Sequence, residues 1–76
     1  MTAVNIPAEL VQVVLNLPES SYGANKVTFI LRDGRQITNV ILAWGYEIVK
    51  IGNKEISTEK DLNFNLNEIA KILSEV

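Results

Sequence analysis

The chain reads as an α+β domain: an N-terminal helix followed by a small, strongly bent antiparallel sheet, with a C-terminal helix or closing strand. Three observations predict this class. Leu10, Val13, Val14 and Leu17 draw an apolar stripe at helical spacing near the N-terminus. Two turn signals, Asp33-Gly34 and Gly52-Asn53, separate runs rich in branched and aromatic residues. Between those turns the apolar alternation slips twice, and a slip in strand parity marks a bulge or a turn that bends a sheet. At 76 residues the chain has room for one small domain, residues 1–76, and no second folding unit.

The helix is expected over about residues 7–17. Pro7 suits a first helical turn, where its missing N–H is not needed, Glu9 complements the positive end of the helix dipole, and Pro18 cannot continue the helix. Val11, Val13, Leu15 and Leu17 also alternate as a strand would, and the flanking residues decide for the helix. Val11 and Leu15 add a second apolar side, so more than one surface of this helix should be covered.

Residues 19–25, with two serines, Tyr22 and Gly23, read as a loop into the clearest strand, residues 26–32. A three-residue loop with Gly34 in the left-handed conformation pairs Leu31 with Arg35, Phe29 with Ile37 and Thr28 with Thr38. That register unites Phe29 and Ile37 on the core face, whereas a two-residue turn would set Phe29 against Thr38. The parity slips fall at Asn39-Val40 and at Trp44-Gly45-Tyr46. A two-residue loop at Gly52-Asn53 pairs Val49 with Ile56 in the core and Lys50 with Glu55 as opposite charges outside. Val27, Phe29, Ile37, Val49, Ile56 and Phe64 are the expected core.

The C-terminal third admits two readings after a polar, turn-like stretch at residues 57–61 and an alternating segment carrying Leu62, Phe64 and Leu66. Leu66, Ile69, Leu73 and Val76 have helical spacing, and Asn65 with Glu68 resembles a capping box, which favours a helix. The competing reading is one helical turn at residues 65–68 followed by a closing strand, residues 69–73.

Composition bounds the function. The chain has no cysteine and no histidine, so it has no disulfide, no thiol nucleophile and no imidazole base to activate Ser20 or Ser21. A zinc site loses its two best ligand types with them. We therefore expect no enzyme, no cofactor and no metal site. Glu47, Glu55, Glu59 and Asp61 form the densest acidic group, but Lys50, Lys54 and Lys60 lie among them, as on a solvated surface, and the spacing fits no calcium loop. A net charge of −2 has the wrong sign for a protein that gains affinity by neutralising phosphates, so nucleic acid is disfavoured as a partner. No basic N-terminal region and no long apolar run suggests secretion or a membrane span, and a cytoplasmic protein is expected.

The run Val-Thr-Phe-Ile-Leu-Arg-Asp-Gly-Arg from Val27, followed by Val40, Leu42 and Val49, resembles the opening of an Sm-like or SH3-like small barrel. The resemblance covers residues 27–51, about a third of the chain. It implies a helix followed by five bent strands, with RNA binding in Sm-like members and protein or peptide binding in many SH3-like ones. The RNA-contact motifs do not match. Where an Asp and an Asn would stand the chain reads Trp44-Gly45-Tyr46-Glu47, and where an Arg-Gly pair would stand it reads Gly52-Asn53-Lys54. The glycine that bends the second strand in that family is replaced by Asn39.

Trp44, Gly45 and Tyr46 are the leading candidates for a partner-binding site. Two large amphipathic rings at a parity break can form an exposed platform. The commoner arrangement has Trp44 capping the core and Tyr46 on the sheet surface. Arg32 and Arg35 can add charge beside such a platform, although a pair flanking a hairpin turn is more often only its soluble tip. The sequence therefore points to a non-catalytic protein-interaction or regulatory module, with an Sm-like nucleic-acid binder as the alternative. Self-association is expected as well. The domain is small, its helix is apolar on two sides, and residues 40–44 run continuously apolar, so a second copy can cover what one chain leaves open.

Overall fold

The computed structural model describes residues 4–17 and 23–75. Among the described residues one helix, α1 (Ala8–Leu15), precedes five strands: β1 (Ala24–Leu31), β2 (Gln36–Ala43), β3 (Glu47–Ile51), β4 (Lys54–Glu55) and β5 (Ile69–Ser74). Single 3-10 turns at Glu59–Asp61 and Leu66–Glu68 lie between β4 and β5. The strands form one antiparallel sheet in the order β4-β3-β2-β1-β5, so the C-terminal strand returns to pair with the first. Pro18, Tyr22, the two serines of the expected loop and Val76 lie outside the described residues.

Glu9 lies in the first turn, as its charge favours, whereas Pro7 stands just before the first turn, at the helix N-cap. The helix ends at Leu15, two residues short of the expected boundary, because Asn16 and Leu17 continue as a turn that bonds back to Val13 and Val14. Its buried stripe is also rotated. Val14 is fully buried, with Leu10, Val11 and Leu17 packed beside it, while Val13 faces solvent.

The first hairpin has the expected three-residue loop. Leu31 donates to the Arg35 carbonyl at 2.8 Å, Phe29 pairs with Ile37, and Gly34 has φ +94°. The Thr28–Thr38 pair does not form. The ladder shifts between Val27 and Phe29, leaving Thr38 and Asn39 opposite Thr28, and Asn39 takes φ +57°. Asparagine tolerates that left-handed backbone better than other side-chain-bearing residues, so Asn39 bends this strand without a glycine. The Glu75 carboxylate braces the bulge, accepting the Asn39 N–H at 2.8 Å and the Thr28 hydroxyl at 2.5 Å.

The second hairpin also has the expected register: Lys50 pairs with Glu55, and Ile56 N–H donates to the Val49 carbonyl at 3.0 Å. Gly52, at the first central position with φ +60°, supplies the backbone that a tight two-residue loop needs there.

The core contains Val27, Phe29, Ile56 and Phe64 as expected, the two phenylalanine rings meeting edge to face at 6.0 Å. Two expected members differ. Ile37 is half-buried at the core margin, and Val49 is displaced by Ile48, which is completely buried. The ladder between β2 and β3 shifts between Ile41 and Leu42, so Val49 is the residue left without an opposite number.

The C-terminal segment is a strand and not a helix. Glu68 does reach back to the Asn65 N–H at 2.9 Å, so the capping box exists, but it caps a single 3-10 turn. The helical spacing has another origin. Leu31 pairs with Ile69 and Ile30 with Lys71, so Ala70 is bulged out, and Ile69 and Ile72 both point into the core three residues apart. Ile37 with Val40 in β2, and Ile48 with Ile51 in β3, repeat that spacing across their own bulges.

The outer face of the sheet carries a row of directly paired residues, Glu55, Lys50, Ile41 and Lys26. Lys26 and Lys50 thus flank Ile41 on that face. The edge of β3 is covered by β4 at one end and by residues 4–6 at the other, where Ile6 N–H donates to the Tyr46 carbonyl and Ile48 N–H to that of Val4. Among the described residues no helix is long and apolar enough to cross a membrane.

Candidate functional site

The second parity slip is a tight turn. Tyr46 N–H reaches the Ala43 carbonyl at 3.2 Å, with φ +56° at Trp44 and +85° at Gly45, the backbone of a type I′ turn. Glycine, asparagine and aspartate are the ordinary occupants of its first central position. A tryptophan there carries a left-handed backbone penalty of about 1–2 kcal/mol. It does not recover that by burial, since Trp44 is 61% exposed. The structure therefore favours the exposed arrangement over the core-capping one for Trp44, and Tyr46 is 41% exposed beside it.

Two glycines seat this turn on the rest of the molecule. Gly23 accepts the Trp44 N–H at 2.8 Å, and a Cβ added at Gly23 would stand only 2.7 Å from the indole ring. A Cβ at Gly45 would meet the Leu15 side chain at 2.9 Å. The indole thus lies against the entry to β1, and the end of α1 against the turn. Between them runs an open groove of about 400 Å³, lined by Val14, Leu15, Leu17, Asn25, Trp44 and Gly45. Leu15 and Trp44 stand out as exposed apolar rims, and Asn25 is the buried polar member. No buried side-chain polar atom among the described residues lacks a hydrogen-bond partner.

Arg32 and Arg35 are not part of this site. They flank the turn at the start of β2, while Trp44 follows its end, and eight strand residues separate the two by roughly 25 Å. Arg35 pairs with Asp33 at 2.8 Å and lies 3.6 Å from Glu68, and Arg32 donates to the Asn67 carbonyl. The acidic group is dispersed in the same way: Glu55 faces Lys50, and Asp61 accepts the Ser57 and Thr58 N–H groups. Among the described residues no three His, Cys, Asp or Glu side chains gather where a metal ion could be held. A second hollow of about 270 Å³, lined by Lys26, Asn39, Ile41, Lys50, Gly52 and Asn53, lies on the outer face. Its lysines have Glu75 and Glu55 as neighbours, which suits a solvated charged row better than an anion site.

Leu15 and Asn25 in the groove, and Gly23 beneath the indole ring, are residues that the sequence does not assign to a site. Gly23 and Gly45 were the available signal, each beside an aromatic residue, but only the packed structure brings the helix end to the turn. Comparison with protein-family models, with curated proteins and with solved structures finds no match to this chain.

Proposed function

We propose that this chain is a non-catalytic protein-interaction module whose contact site is the groove between Leu15 and Trp44. The carrying observation is Trp44, a large, exposed ring held in a left-handed turn. A bulky residue in a left-handed turn breaks a local rule of stability, and such breaks are where functional constraint is expected. Aromatic anchors beside a groove are the usual centre of protein contacts. The order of elements, a helix and then five bent antiparallel strands, supports an SH3-like small barrel, a fold with many protein-binding members. Fold alone does not assign the role, and the groove carries the argument.

The same element order also supports the Sm-like nucleic-acid reading. The net charge of −2 and the pairing of sheet lysines with glutamates weigh against it.

The test uses the whole chain as immobilised bait in native extract, wild type beside Trp44→Ala, with captured proteins identified by mass spectrometry. Capture that depends on Trp44 is expected. Capture of the same proteins by both baits would overturn the assignment of the site. RNA or single-stranded DNA retained at low salt and released as salt rises would favour the rival reading.

A further inference from the structure

We infer that Asp33-Gly34, at the tip of the first hairpin, is a site of backbone modification where Asp33 converts to isoaspartate through a cyclic imide, and that the folded tip holds this reaction in check until it opens. The chain contains no other Asp-Gly pair and no Asn-Gly pair. Glycine after an acidic residue leaves the peptide nitrogen unobstructed, because it has no Cβ to shield it. Asp33, Gly34 and Arg35 are all exposed, and a Cβ built at Gly34 would meet nothing within 4 Å, so water reaches this bond.

The reaction needs no co-reactant other than water. The Gly34 nitrogen bonds to Cγ of the protonated Asp33 side chain, and one carboxyl oxygen leaves as water with its own proton and the amide proton. Water then opens the resulting imide at either carbonyl. Opening at Cγ restores aspartate. Opening at the backbone carbonyl leaves the chain running through Cγ, with an extra backbone carbon in the loop and the carboxylate on Cα.

In the folded tip each reacting group is held. Gly34 N–H, whose proton has to leave, is donated to the Leu31 carbonyl at 2.9 Å. Asp33 Oδ1 accepts the Arg35 N–H at 3.0 Å and Oδ2 accepts its Nε–H at 2.8 Å. These contacts hold the carboxyl below its ordinary value of 3.8, and a carboxylate has no hydroxyl to expel. The tip is tied down from outside as well. Arg32 N–H donates to the Glu68 carbonyl at 2.8 Å and its Nε–H to that of Asn67 at 3.1 Å, while the Arg35 guanidinium lies 3.6 Å from the Glu68 carboxylate. Release of the tip therefore frees the nitrogen and the carboxyl together. The product has one backbone carbon too many for the three-residue loop that sets Leu31 opposite Arg35, so an opening is recorded covalently.

The experiment holds the full chain at neutral pH and physiological temperature, native or in urea, and samples it over time. Isoaspartate is read from the failure of an Asp-specific protease to cut before residue 33 and from fragment-ion mass spectra. Asp33→Glu, whose longer side chain disfavours the imide, is the blank. The denatured chain should form isoaspartate at residue 33. The native chain should do so about tenfold or more slowly, the factor set by opening one or two hydrogen bonds. Arg35→Gln, shown to be folded by circular dichroism, should react about two- to fivefold faster than native wild type, as loss of an exposed ion pair allows. If that variant folds poorly, hydrogen exchange at the Gly34 N–H of wild type takes its place and should be slowed to a similar degree as the modification.

Equal rates in the native and denatured chains overturn the inference, as does a denatured chain that forms no isoaspartate at residue 33. A folded Arg35→Gln that reacts no faster than wild type, or a Gly34 N–H that exchanges as freely as in urea, would show that these contacts do not hold the site closed.

Discussion

At the scale of single residues, Trp44 and Gly23 act as a pair. The left-handed backbone at Trp44 is unfavourable for a bulky side chain, and the residue as a whole is 61% exposed. Trp44→Asn should therefore leave unfolding free energy within about 1 kcal/mol of wild type, or raise it, because relief of the turn offsets the lost contact with Gly23. A loss of about 3–5 kcal/mol, the usual effect of truncating a core tryptophan, would show that the ring is structural. Gly23→Ala places a methyl 2.7 Å from the indole at φ +72°. It should cost about 1–3 kcal/mol in denaturant unfolding. In the double variant with Trp44→Asn only the backbone part, about 1 kcal/mol, should remain. Strictly additive losses would mean that the two residues do not meet.

At the scale of elements, three bulges shape the sheet, and the one in β2 can be tested from both sides. Asn39→Gly should be tolerated within a few tenths of a kcal/mol, whereas Asn39→Val should lose about 1–2 kcal/mol at its φ of +57°. Equal stability of the two variants would remove the left-handed position as the reason for asparagine there. Glu75 holds the same bulge. The Thr28 hydroxyl first and the Asn39 N–H second keep its carboxyl below the ordinary value of 4.5, helped by Lys26. A carboxylate favoured in this way contributes stability that is complete above its unfolded pKa and is lost as pH falls through the folded one. Asp61, held by the Ser57 and Thr58 N–H groups, and Asp33, held chiefly by the Arg35 N–H, act in the same direction below 3.8. Unfolding free energy should accordingly drop as pH falls from 4.5 downward, and Glu75→Gln should lower stability at neutral pH and make that acid limb shallower. Superimposable pH profiles for wild type and variant would show that the Glu75 contacts contribute nothing. The effect is modest in size because Glu75 is exposed to water.

At the scale of the whole molecule, β1 is the spine, bonded to β2 on one side and β5 on the other. Phe29 at its centre pairs with both Ile37 and Ile72. A domain of this size has only about 4–11 kcal/mol in hand, from about 0.05–0.15 kcal/mol per residue. Truncation after Asn67 removes Ile69 and Ile72 from the core and exposes one whole edge of β1, so the shortened chain should lose its cooperative unfolding transition in circular dichroism and calorimetry. A truncated chain that still melts sharply would place the stabilising core elsewhere.

What was legible in the sequence was what local chemistry decides. The α+β class, both hairpins with their loop lengths, the places of the parity breaks and the capping box at Asn65 and Glu68 all follow from residues near one another in the chain. Turn glycines, caps and cross-strand pairs act over a few residues, and their signals do not depend on the rest of the fold. Three features were settled only by tertiary structure. A bulge converts the two-residue period of a strand into an inward spacing of three, so Ile69 and Ile72 imitate a helix until β1 is there to pair with them. The same effect moves Ile48 into the core in place of Val49, since which residue is left over depends on the partner strand. The groove beside Trp44 is built from the end of α1, the start of β1 and the turn between β2 and β3, segments far apart in sequence that meet only when the sheet is formed. Periodicity records the face a residue prefers, but packing against a neighbour decides which face exists.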